Sequence, residues 1–141
     1  MTDQSADQKA ACMNADMTGY AENELEIYSY EGDGYKPMIS FGDWRVAFLR
    51  HADRFDKNRV EKMERHMLTD EVFVLLFGEA FLILGEDEKV VRMKKNMLYN
   101  VKKAVWHAVC VSEDAQVLIV ENDNTGAQNT EYRKLRSEVS A

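Results

Sequence analysis

Apolar and polar positions along this chain alternate in short runs instead of recurring every three or four residues, which is the pattern of strands. Leu25-Glu26-Ile27-Tyr28-Ser29-Tyr30 alternates and leads into Glu31-Gly32-Asp33-Gly34, predicting a short strand and a turn. Asp43 to Arg50 predicts a strand with Trp44, Val46 and Phe48 on a strongly apolar face and Arg45, Ala47 and Leu49 on the other. His51 to Glu64 is dense in charge and reads as a loop, with one helical turn as the alternative. Val72 to Phe77 is apolar throughout, and Gly78-Glu79 separates it from Ala80 to Leu84, which predicts a hairpin buried on both faces. Such burial calls for cover by a second sheet or a partner subunit. Further strands are predicted at Lys89 to Met93, Met97 to Asn100, Val105 to Val111 and Gln116 to Glu121. Short strands at this spacing predict an all-β sandwich or barrel.

The flanks read differently. Residues 1–24 are polar without a sustained period and read as an N-terminal arm, residues 25–125 as the barrel domain, and residues 126–141 as a tail. Within that tail Tyr132 to Val139 has weak helical character and predicts a short terminal helix. A chain of 141 residues is one ordinary domain. Its net charge of -7 and pI near 5.0 argue against a nucleic-acid partner, since phosphate binding rests on clustered Lys and Arg. No run approaches ~20 apolar residues, and the opening Met1-Thr2-Asp3-Gln4 lacks a basic start and an apolar core, so no membrane partner and a cytoplasmic location are expected. Cys12 and Cys110 lie far apart in unlike surroundings and read as reduced thiols. The doubly apolar strands predict a two-fold homodimer.

Candidate chemistry centres on His66, Glu71 and His107, each beside a strand-like run. Two imidazoles and a carboxylate are what a first-row transition metal needs if three side chains are to hold it and leave positions open for substrate. In an extended segment Glu64 and His66 share a face and could look into one barrel mouth, so Glu64 is a fourth candidate ligand. Glu71 shares a face with Phe73, Leu75 and Phe77, and His107 with Val105, Val109 and Val111, placing each polar group beside an apolar interior. An ionised Glu71 there needs a partner, and a divalent Zn, Fe, Mn, Ni or Co ion at roughly 2.0–2.2 Å is one. The competing readings are core histidines bonded to backbone or carboxylate, Glu71 paired with Arg45, Arg50 or Arg65, Glu64 as a solvated carboxylate, and His51 at the surface.

The segment from about Phe41 to Asn122 resembles a small single-domain cupin, a jelly roll or double-stranded β-helix. That family's first motif is His-x-His, a short gap, Glu, six residues and Gly; here Glu64-Arg65-His66 is followed by Glu71 and Gly78, with Glu64 in the place of the first His. In the second motif His107 matches the ligand His, while Asn96, Lys102, Ala104 and Val111 stand at its Gly, Pro, Gly and Asn positions. The resemblance implies a cupin barrel with a divalent metal on His66, Glu71, His107 and Glu64, acting on or binding a small organic molecule. Cupin-like dioxygenases, isomerases and lyases all fall within that implication. The alternatives are a metal-free barrel that binds a small ligand, a dimerisation module, and metal-free acid–base catalysis by Tyr99 with His107 and Glu71. Lys89, Arg92, Lys94, Lys95, Lys102 and Lys103 form a basic stretch that either steers an anionic substrate or protects a strand edge.

Overall fold

The computed structural model describes Ala21 and residues 23–137. They fall into two compact units that meet in sequence at Gly32 and Asp33. In the first, the expected strand Leu25 to Tyr30 is irregular chain instead. Most of the expected arm, residues 1–20 and 22, lies outside the described residues.

In the second unit ten strands are described: β1 (Tyr35–Phe41), β2 (Trp44–Arg50), β3 (Lys62–His66), β4 (Glu71–Phe77), β5 (Ala80–Leu84), β6 (Lys89–Arg92), β7 (Tyr99–Val101), β8 (His107–Val111), β9 (Gln116–Asn122) and β10 (Thr130–Lys134). They make two five-stranded antiparallel sheets, ordered β1-β2-β9-β4-β7 and β10-β3-β8-β5-β6. Leu49, Phe73, Leu75, Leu82, Val109, Val111, Val117 and Ile119 meet between the sheets as one core. The odd–even alternation of β8 turns Ala108 and Cys110 to the opposite face, where they join Met63 and Ile83 under Val60, Trp106 and Leu135. The chain thus covers the outer face of β5 and β8 with its own segments, and that cover requires no partner subunit. No helix among the described residues is long and apolar enough to cross a membrane.

Several expectations change. Val72 to Phe77 and Ala80 to Leu84 are not a hairpin: β4 pairs with β7 and β9, β5 with β6 and β8, and Gly78 carries the chain from one sheet to the other. Only β5 is buried on both faces; on β4 a register shift between Leu75 and Phe77 breaks the alternation and leaves Phe77 49 % exposed. On β2 the buried face is Ala47 and Leu49 with Arg45, while Trp44 is 45 % exposed, the reverse of the apolar face expected. Arg45 can lie there because Glu121 faces it across the β2–β9 ladder. The expected terminal helix is strand β10, paired with β3 from Thr130–His66 to Lys134–Lys62, where sheet pairing overrides weak helical propensity. The charged loop is shorter than expected, since β3 begins at Lys62 and a 3-10 turn covers Asp53–Phe55. Strand β1, with Pro37 on a sheet edge, was not anticipated.

Two features of the motifs acquire a physical cause. Gly78 has φ +78°, and a Cβ there would stand 2.4 Å from Ala115 Cα. Asn96 and Ala104, at positions the cupin motif gives to glycine, keep the left-handed backbone at φ +64° and +66°. Ala104 also donates its N–H to the carbonyl of His66 at 2.8 Å, so the strain is held in place by the segment it supports. Gly78→Ala should therefore lower stability by about 2–5 kcal/mol through backbone strain and overpacking, and Ala104→Gly should raise it by about 0.5–1 kcal/mol; urea denaturation of the purified variants measures both.

Candidate metal centre

Three neighbouring elements deliver the four groups. On β3, Glu64 and His66 point inward while Arg65 points out to Glu131 and the Trp106 ring. Strand β8 places His107 opposite Glu64, and β4 opens with Glu71 on the same inward row as Phe73 and Leu75. One ligand atom from each of Glu64, His66, Glu71 and His107 lies within 4.8 Å of all the others, a group that could hold a metal ion. The imidazole rings meet edge to face with centroids 5.2 Å apart.

Hydrogen bonding orients both rings. Val105 O can only accept, so His107 Nδ1 carries the proton that donates to it at 3.0 Å. His66 Nδ1 lies 2.9 Å from Thr130 Oγ1, which accepts in the tautomer that leaves Nε2 bare. Both Nε2 atoms therefore turn to the shared centre, the arrangement that outer partners impose on metal-binding histidines. There His107 Nε2 is 2.9 Å from Glu71 Oε1, while His66 Nε2 is 3.4 Å from the same oxygen and 3.5 Å from Glu64 Oε1. At His107 a neutral imidazole lone pair facing a carboxylate would repel, so that contact calls for a proton on the ring or a cation between the two. His66 Nε2 has no hydrogen-bond partner although it is buried. An orphaned nitrogen, a second oriented imidazole and two carboxylates fit a divalent transition metal.

Electrostatics show how tightly the groups are linked. Burial alone would disfavour both imidazolium ions, but the close carboxylate of Glu71 outweighs it and raises both. For Glu71 burial acts upward, and the hydrogen bond with His107 together with the nearby His66 ring overcomes it, holding the carboxyl far below its usual range. Beside it stands Glu121 on β9, pushed up to about 7 by burial and by Glu71, against the opposing pull of Tyr35 and Arg45. Its Oε1 accepts from Tyr35 Oη at 2.6 Å and Arg45 Nη2 at 2.8 Å, and its buried Oε2 has no partner. All these groups line one cavity of about 370 Å³, with Arg54, Phe55 and Arg59 along its open side. A wider groove of about 920 Å³ along Lys57–Lys62 and Tyr132–Leu135 contains none of the four candidate ligands.

Of the residues singled out in the sequence, His66, Glu71, His107 and Glu64 come together. Two of the three arginine partners weighed for Glu71 go elsewhere, Arg45 to Glu121 and Arg65 to Glu131. His51 bonds Asp56 at 2.9 Å and does not line the cavity. Nor does Tyr99, whose hydroxyl accepts the backbone N–H of Lys94 at 2.8 Å; the phenols that line the cavity are Tyr35 and Tyr132. Tyr35 and Glu121 went unnoticed in the sequence and Arg45 was weighed only as a partner of Glu71, although an Arg and a Glu each two residues from buried apolar positions on alternating strands were a readable sign of an inward ion pair.

No protein-family model matches the sequence, and no curated protein matches it. Solved structures do. A cupin-2 domain protein from Shewanella frigidimarina superposes with TM-score 0.52 and 16% identity, over 66% of this chain and 84% of that one. A variant of Streptomyces Pac13 with uridine gives TM-score 0.58 at 12% identity, over 86% and 94%, and Pac13 described as a nucleoside dehydratase gives 0.56 at 10%, over 77% and 86%. Two antiparallel sheets in this order, closed around a buried His and Glu group, are the fold of a small cupin jelly roll.

Proposed function

We propose that this protein holds one divalent transition metal through His66, Glu71 and His107, with Glu64 as fourth ligand, and uses it on a small organic molecule in the 370 Å³ cavity. The observation that carries this reading is the convergence of two imidazoles, each oriented by its own Nδ1 bond, on one buried carboxylate oxygen. Zinc, iron, manganese, nickel and cobalt all suit this donor set. When bound, such an ion supplies Lewis acidity or, for a redox metal, a centre for oxygen chemistry. The chain's own residues do the rest: Phe73 backs the His107 ring, and Arg45 and Tyr35 hold Glu121. Pac13 has been seen with uridine, and binding of an organic molecule of that size is part of the proposal here.

Metal analysis of protein purified without an affinity tag or chelator should find close to one transition-metal ion per chain, and His66→Ala/His107→Ala should abolish it. Equal metal content in wild type and double variant would refute the assignment.

Protons and metal compete for the same atoms, which fixes a pH dependence. His66 and His107 titrate above their ordinary 6.5, so their contribution to the metal-free fold is complete below that pH and is lost as pH rises through the raised values. Glu121, raised from 4.5 to about 7, weakens the fold in the same direction between those values. Glu71 is depressed, so its contribution is present above 4.5 and is lost only as pH falls through its lowered value. The melting temperature of metal-free protein should therefore fall from pH 5 to pH 8. The increase produced by saturating zinc should grow over the same range, because binding needs neutral imidazoles. Differential scanning fluorimetry at four pH values tests both slopes.

A further inference from the structure

We propose that the organic ligand of this cavity is a small anion, its carboxylate or phosphate group taken by Arg54 at the open side while its other end faces the His66–Glu71–His107 group. The inference rests on the metal-site reading above and adds the class of ligand.

Consider the charges along the cavity from inside to outside. The candidate-ligand end holds the half-exposed Glu64 and the buried Glu71 and Glu121 against Arg45, formal charges that a divalent ion would bring to neutrality. An anion is then not repelled from within, and the open side decides what enters. There the cations outnumber the single acid, Glu61, but most are engaged: Arg59 pairs with Asp53, and Lys62 lies 5.2 Å from the centre of the Tyr132 ring. Arg54 differs. Its guanidinium lies 4.4 Å above the Phe55 ring, and no carboxylate among the described residues pairs with it. Stacking occupies one face of a planar guanidinium and leaves its N–H edge free, in the fork geometry that matches a carboxylate or phosphate.

The platform is also fixed in advance. Phe55 packs against the core between the sheets, and the 3-10 turn that presents Arg54 is closed by Phe55 N–H to Ala52 O at 2.9 Å and Asp56 N–H to Asp53 O at 3.1 Å. Little ordering remains to be done when a ligand arrives. The basic stretch expected from the sequence to steer anions does not fill this role: Lys102 reaches Asp70 at 3.5 Å, and neither it nor Lys103 lines the cavity.

Calorimetric titration of the metal-free and the cobalt-loaded protein with lactate against lactamide, and glycerol 3-phosphate against glycerol, tests the proposal; each pair differs chiefly in charge. At least one anion should bind about tenfold or more tighter than its neutral counterpart, as a charge-assisted hydrogen bond allows, and which one separates a carboxylate from a phosphate ligand. Arg54→Gln should remove that preference while cobalt content and melting temperature stay unchanged, and Arg54→Lys should restore part of it. Equal binding of each pair, binding of none, or a preference that survives Arg54→Gln overturns the proposal. Failure of the metal reading shows separately, as a wild-type protein that takes up no cobalt.

Discussion

Glu71 Oε1 sits 2.9 Å from one imidazole nitrogen and 3.4 Å from another, in a part of the barrel almost closed to water. A carboxylate left alone there would be several kcal/mol out of balance. His107 cannot relieve it as a neutral acceptor, because its Nδ1 proton is committed to the Val105 carbonyl, whereas the Thr130 hydroxyl can accept from or donate to His66 Nδ1. The 2.9 Å contact between His107 Nε2 and Glu71 Oε1 must therefore hold a proton or a cation, and the surrounding groups are arranged around that need. Protons meet it in the metal-free chain; a divalent ion would meet it with fewer particles and would engage the unpartnered His66 Nε2 as well.

The scaffold makes this constellation rigid. Strands β3, β4 and β8 carry the four groups; His66 is paired to Thr130 on β10, and Glu64 stands opposite His107. Gly78 takes the chain from β4 into the other sheet through a contact with Ala115 that leaves no room for a side chain. Beside Glu71, Arg45 and Tyr35 hold Glu121, so two carboxylates occupy one interior with different loads, Glu71 kept charged and Glu121 pushed toward its neutral form. Such divergence between neighbouring carboxyls is characteristic of functional sites.

Much of this was legible in the residues. Alternation located most of the strands, and the spacing from Glu64 to Gly78 together with His107 brought out the four side chains that the fold assembles. What was not legible depended on contacts between segments distant in sequence. The inward face of β2 is decided by Glu121, seventy-six residues from Arg45, and nothing local to Trp44, Val46 and Phe48 reveals it. The strand nature of Thr130 to Lys134 comes from its ladder with β3, and the split of β4 from β5 comes from the approach of Gly78 to Ala115. Asn96 and Ala104 read as losses from the cupin motif, yet their backbones keep the left-handed shape that glycine would supply, so the geometry outlasts the residue type.

The most direct test is a crystal of the protein grown with cobalt, with anomalous scattering recorded at the cobalt edge. One peak within bonding distance of His66 Nε2, His107 Nε2 and a Glu71 oxygen, at roughly 2.0–2.2 Å, is the result the account predicts. Absence of a peak there, with both imidazoles still bonded directly to Glu71, would contradict it and leave a proton-bound carboxylate–histidine cluster in its place.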